Sequence, residues 1–272
     1  MIRAPLSTTS VLDETTDAVA RSAAPWAGVL IATSIPYRFL QVLFIERLVE
    51  LGSSATHYAI ALGELANWTT LAFVISLLGR AVYARAIRLA EAGGEAEEGP
   101  RRITGAPFRV PPVALFSYLY TAVFAELTFV LSLLTIVTIP LAIMLSGIAV
   151  GTMELNRKAG LRPPLRLIVR YLKSSRTLLA VVLIFAIALL MAWINLYAVA
   201  EVALWLSNAF AGADTARWAR LIGSSHFRWL SFAGAVLTIE PFWVAANVIL
   251  VRKAGAEESG EELRLWFREL QA

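Results

Sequence analysis

Residues 229–251 read WLSFAGAVLTIEPFWVAANVILV, from Trp229 to Val251. The run is apolar except near its middle, where Glu240 and Pro241 interrupt it. It is long enough to cross the ~30 Å hydrocarbon core of a bilayer at about 1.5 Å per residue. A carboxylate halfway along such a segment is costly in hydrocarbon and needs a reason. The proline beside it removes one backbone donor and frees the carbonyl four residues earlier. Arg252 and Lys253 follow, then a short polar, acidic segment from Gly255. Ser259-Gly-Glu-Glu262 has capping-box spacing. Leu263, Trp266, Phe267 and Leu270 then recur at i, i+3, i+4 and i+7, the pattern of an amphipathic tail helix.

The composition agrees with a membrane reading. Of 272 residues 58% are hydrophobic and only 16% charged, with a mean hydropathy of +0.68. Soluble domains are about half apolar and about one quarter charged. The apolar residues come in long runs rather than in alternation. There is no cysteine, which excludes disulfides, thiolate metal sites and cysteine nucleophiles. The basic balance, +4 net, matters here for where the cations lie rather than for nucleic acid, and no nucleic-acid partner is expected. Asp13, Glu14 and Asp17 precede the first apolar run, where a signal peptide needs cations.

Five further spans are expected upstream. Residues 24–45 and 57–79 form the first two, the second continuing as helix through Arg80, Arg85 and Arg88 into a hydrophilic loop, 91–112. Val113 to Leu155 is twice the length one crossing needs. It divides at Thr135 to Pro140 into spans 113–134 and 139–155, with one long kinked helix as the competing reading. Span 177–200 follows, its helix running on towards Phe210, and a polar loop with a helical turn near 214–222 leads to span 229–251. Residues 1–254 make the membrane domain and 255–272 the cytoplasmic tail.

Two amphipathic stretches flank these spans. Ser10–Ser22 puts Val11, Leu12, Ala18 and Val19 on one face and is expected on the membrane surface, against a frayed soluble tail. After Pro163-Pro164, Leu165, Ile168, Val169 and Leu172 alternate with Arg166, Arg170 and Lys173. This basic helix is suited to anionic lipid headgroups, each cation contributing about 1 kcal/mol near the surface.

With six alternating spans and both termini in the cytoplasm, every Lys and Arg falls on the cytoplasmic side except Arg38, Arg47, Arg217, Arg220 and Arg228. That asymmetry is the positive-inside pattern. Both flanks of 113–155 are basic, so that stretch is expected to cross an even number of times.

By residue counting, Arg38, Glu64, Glu126 and Glu240 each lie near the middle of a span. Arg38 and Glu64 occupy adjacent spans and are expected to pair. Glu126 and Glu240 are then either relay carboxylates for a proton or cation, with the carbonyl freed by Pro241 as a ligand, or structural groups bonded to asparagines and freed carbonyls. The structural reading has more behind it, because no inverted repeat marks a transporter. His57, His226 and Asp214 would make a sparse metal site, and interfacial histidines are the reading adopted. No phosphate loop, zinc spacing or nucleophile elbow is present, so neither catalysis, cofactor nor metal is expected. Trp26, Trp205 and Trp229 suit interfacial belts.

Ile239-Glu240-Pro241-Phe242-Trp243-Val244-Ala245-Ala246, then Arg252, then Leu263-Arg264-Leu265 before Phe267-Arg268, resembles the C-terminal pattern of an uncharacterised bacterial multi-pass membrane-protein family. Its members read E-P-F-[YW]-V-A and are often encoded beside MoxR-type ATPases and transglutaminase-like membrane proteins. Ala256 to Glu262 departs from that family's aromatic-acidic tail. The segment from Val11 to Arg21, with a central proline in the span that follows, is also similar to the membrane domain of glycerophosphoryl diester phosphodiesterases. There too an amphipathic segment precedes spans one and five, while no phosphodiesterase domain is present here. The resemblance implies a non-catalytic component of the bacterial inner membrane, working with a cytoplasmic partner such as a MoxR-type ATPase. The fold expected is an all-α polytopic bundle.

Overall fold

The computed structural model describes residues 8–20, 24–50, 55–93, 112, 115–116, 118–123, 175–211 and 216–259. Its helices are α1 (Thr8–Ala18), α2 (Ala24–Glu50), α3 (Ala55–Gly93), α4 (Ser175–Ala211), α5 (Ala216–Ile222) and α6 (Ser225–Ser259). The described residues between 112 and 123 are helical as well, and there is no strand among the described residues. The fold is all-α.

Among the described residues four stretches are long and apolar enough to cross a membrane: Trp26–Phe44, Gly63–Arg88, Thr177–Phe210 and Ser225–Arg252. They overlap four of the six expected spans. The protein is therefore membrane-embedded. Spans 113–134 and 139–155, apart from the few residues named above, lie outside the described residues. So do most of loop 91–112, the basic helix with Arg166, Arg170 and Lys173, and the tail residues Leu263, Trp266, Phe267 and Leu270. One boundary moves. The polar segment expected from Gly255 is helical as far as Ser259, because Ala254, Ala256, Glu257 and Glu258 are good helix formers and the single Gly255 costs only ~1 kcal/mol.

The chain divides into two compact units, one of residues 1–29, 80–183 and 242–272, the other of residues 30–79 and 184–241. In the first, α6 is buried on every side from Val244 to Val251. Its sequence there, Val-Ala-Ala-Asn-Val-Ile-Leu-Val, has no polar stripe, as a centrally packed helix requires. Asn247 is accommodated because its Nδ2 donates to the Trp243 carbonyl at 2.8 Å. The end of α3 contributes Ala81, Tyr83, Ala84, Ala86 and Ile87 to the same core.

In this unit α1 packs one face into the core. Val11 is 0% and Thr15 2% exposed, and Glu14 Oε2 accepts from Arg252 Nη2 at 2.7 Å. The expectation of Ser10–Ser22 lying on lipid rested on Val11, Leu12, Ala18 and Val19. The face that is buried is Val11-Thr15, one helical turn apart, and Thr15 fits there because its hydroxyl bonds back to the Val11 carbonyl at 2.6 Å.

The second unit holds the middle of the long helices. Tyr37 meets Phe73 with ring centroids 5.1 Å apart, and Gly79 lies against Thr33, so α2 and α3 run antiparallel. Trp193 donates to Ser231 at 3.1 Å and packs edge-on against Phe232 at 5.7 Å. Tyr197 packs on Phe227 at 5.8 Å and donates to the Ile222 carbonyl at 3.2 Å, so α4 and α6 are antiparallel too. Gly79 is required by close approach: a Cβ there would collide with the Thr33 side chain.

Candidate functional site

Both charges expected on α2 and α6 near mid-membrane lie in the second unit, and they face each other. Arg38 Nη2 is 3.9 Å from Glu240 Oε2, with the two side chains 15% and 4% exposed. Arg38 stands about three residues, or ~5 Å, past the middle of Trp26–Phe44. Glu240 stands within ~3 Å of the middle of Ser225–Arg252. Each charge sits beside a proline: Pro36 precedes Arg38 by two residues and Pro241 follows Glu240, and both helices continue through their prolines.

Arg38 is held by more than the carboxylate. Its Nη1 donates to Gln41 Oε1 at 2.9 Å, and its guanidinium carbon lies 5.0 Å from the centre of the Tyr37 ring. The ring face is electron-rich and attracts the cation by about 0.5–2 kcal/mol. Ser34, Arg38 and Gln41 are spaced by four and three residues, so they share one face of α2, and Ser34 is fully buried on it. Two unit charges 4 Å apart attract by about 4 kcal/mol at an effective dielectric constant of 20. Desolvating the two ions costs several kcal/mol each. The pair is therefore close to balanced as long as both members are present, and losing either one is costly.

A second polar contact sits further along the same two helices. His226 Nδ1 lies 2.6 Å from Glu46 Oε2. Together, Arg38–Glu240 and Glu46–His226 show α2 and α6 to be antiparallel, since positions later on α2 meet positions earlier on α6. Glu46 belongs to α2 because that helix extends to Glu50, five residues past the expected end of the span. Counting it as loop hid the partner of His226. The available signal was the i, i+4, i+8 spacing of Arg38, Val42 and Glu46.

Glu64 is not part of this cluster. It is exposed. Phe73, which touches Tyr37, marks the level of Arg38 on α3, and Glu64 is nine residues from it, about 13 Å along the axis. The expected Arg38–Glu64 pair is thus replaced by Arg38–Glu240, because the packing of α2 on α3 sets Phe73, not Glu64, opposite Tyr37. Glu126 and Asp214 lie outside the described residues, and the side chain of His57 is not described. Among the described residues no group of three or more His, Cys, Asp or Glu is placed to hold a metal ion. Trp205, Trp218 and Trp229 are exposed, in keeping with interfacial positions.

Comparison with known protein families, curated proteins and solved structures gives no match to this chain in any of the three.

Proposed function

We propose that the chain is a non-catalytic integral membrane protein, a structural or interaction component of a membrane-associated assembly. The observation that carries this reading is the Arg38–Glu240 pair. Glu240 is the one buried carboxylate among the described residues, and it faces a cation, so the group best placed for a relay is engaged in bracing α2 against α6. Such buried ionic contacts commonly specify register between helices. The orientation belonging to this reading has both termini in the cytoplasm of a bacterial cell, with Arg166, Arg170 and Lys173 on anionic lipid. The stripe of Leu263, Trp266, Phe267 and Leu270 then faces a soluble partner. A MoxR-type ATPase is the candidate, on the strength of the E-P-F-W resemblance alone.

The test is affinity purification of the detergent-solubilised protein with and without residues 255–272, with the candidate ATPase co-expressed. Stoichiometric recovery from the full chain and loss from the truncated one supports the proposal. Equal recovery from both, or none from either, rules out the tail as the docking element. A second reading is proton- or cation-coupled transport through the membrane carboxylates. It draws on the mid-membrane position of Glu240 beside the carbonyl that Pro241 leaves free, that of Leu237.

A further inference from the structure

The stretch Thr177–Phe210 of α4 is the most apolar of the four spans, and 11% of it is buried within the chain. Most of its surface is therefore offered to lipid or to another protein. Three Asn or Glu side chains are exposed on it, Asn195, Glu201 and Asn208, and Asn195 is the deepest of them. Asn195 is exposed, and its carboxamide has no hydrogen-bond partner among the described residues.

Its depth can be read from α6. A Cβ at Gly234 would lie 3.4 Å from Leu196 Cδ1, which puts Leu196 and its neighbour Asn195 level with Gly234. The middle of Ser225–Arg252 falls between residues 238 and 239, so Asn195 lies about 7 Å from mid-membrane at 1.5 Å per residue. The hydrocarbon extends ~15 Å on each side of that middle. Water does not reach a carboxamide there, and burying one without a hydrogen bond is costly. Glu201, six residues further along α4 and ~9 Å further out, is the next polar group.

The residues around Asn195 form a seam. Ile184, Met191, Val199, Val202 and Leu206 are each exposed. Their spacings from 184 through 191, 195, 199, 202 and 206 are seven, four, four, three and four, so at ~100° per residue they stay within about 40° of Asn195. Two helices packed on seams of this spacing interlock along their length. We propose that this α4 face is a self-association surface, on which a second copy of the chain docks with the Asn195 carboxamides hydrogen-bonded to each other across a twofold axis.

The self-complementarity of the amide selects the occupant. A carboxamide carries both two donors and an acceptor, so the same residue from a second copy satisfies it reciprocally. A twofold interface brings equivalent residues together at its axis. A lipid chain offers no donor or acceptor at this depth. Interhelical hydrogen bonds from Asn are a recognised source of association between spans.

The absence of native cysteine makes the test clean. Single variants Met191→Cys, Val199→Cys and Leu190→Cys of the full chain are reconstituted in phospholipid vesicles and treated with a short bis-maleimide. Leu190 is equally exposed on α4 but lies roughly opposite Asn195 around the helix. Met191→Cys and Val199→Cys yield covalent homodimer and Leu190→Cys does not. In the cysteine-free protein, dilution in lipid followed by single-molecule photobleaching gives the dimer dissociation constant. Asn195→Leu raises it about 3- to 30-fold, while Asn195→Gln leaves it within about threefold. Asn195 is exposed, so the Leu variant keeps its internal packing. Equal crosslinking at 190 and 191, no homodimer at any position, adducts to lipid or other protein only, or an Asn195→Leu dimer as tight as the parent overturns the proposal.

Discussion

Replacing Arg38 by leucine leaves Glu240 facing an apolar side chain in the middle of the membrane. The structure allows that cost to be sized. The carboxylate side chain is 4% exposed and its cation stands 3.9 Å away. Removing one member of a buried pair costs about 3–5 kcal/mol, because the remaining charge keeps its desolvation and loses its attraction. Replacing both members by apolar residues of similar volume is often neutral or stabilising. The cycle Arg38→Leu, Glu240→Leu and the double substitution therefore gives two costly single changes and a double change within about 1 kcal/mol of the parent, a coupling of several kcal/mol. Arg38 also loses its contacts with Gln41 and Tyr37, so its single change is the larger. The assay is equilibrium unfolding in mixed micelles followed by the fluorescence of the eight tryptophans. A single change of 3–5 kcal/mol corresponds to a midpoint lower by roughly 10 °C for a chain of this size. If the double variant is as unstable as the sum of the singles, the two residues do not act on each other and the brace is refuted.

Other consequences follow from the same contacts. Gly79→Leu forces α3 away from Thr33 and costs about 1–3 kcal/mol by overpacking; Thr33→Gly in the same chain recovers part of it, measured by the same unfolding assay. Arg252→Ala removes an ion pair whose members are 49% and 41% exposed, so it lowers stability by no more than ~1 kcal/mol, and that effect shrinks further in high salt. Within the second unit α2 is antiparallel to α3 and to α6, and α4 is antiparallel to α6, so α3 and α4 run in opposite directions. Activity reporters fused at residues 97 and 158 consequently report the same side of the membrane, and one fused after Gly212 reports the other.

What was legible in the sequence follows from how strongly the bilayer constrains it. A run of apolar residues such as Thr177–Phe210 has few alternatives to helix in hydrocarbon, because every backbone group must find its hydrogen bond within the segment. The four described spans were readable for that reason, and so was the mid-membrane position of Arg38 and Glu240. Their pairing with each other was not. Counting residues places a charge along its own helix, while the partner depends on where neighbouring helices start and on their lateral packing. The register of α2 on α3, with Tyr37 against Phe73, leaves Glu64 out of reach of Arg38, and the extension of α2 to Glu50 brings Glu46 to His226. The burial of α1 has a related cause. A Val-Thr face looks weakly apolar in sequence, yet a threonine whose hydroxyl bonds its own helix packs as a small β-branched residue. Asn195 was visible as a polar group within a span, but only exposure on the folded bundle distinguishes it from Asn247, which is buried.

The central claim is that the buried charges brace the bundle rather than move ions. The most direct test reconstitutes the purified full-length protein, the Glu240→Gln variant and the Glu126→Gln variant in vesicles holding a pH-sensitive dye. Proton leak is then followed after an imposed pH step, with Na+ and K+ gradients in separate runs. The account predicts that all three dissipate the gradient no faster than protein-free vesicles under each condition. Dissipation by the parent protein that either Gln substitution abolishes, while the variant folds normally, would contradict it.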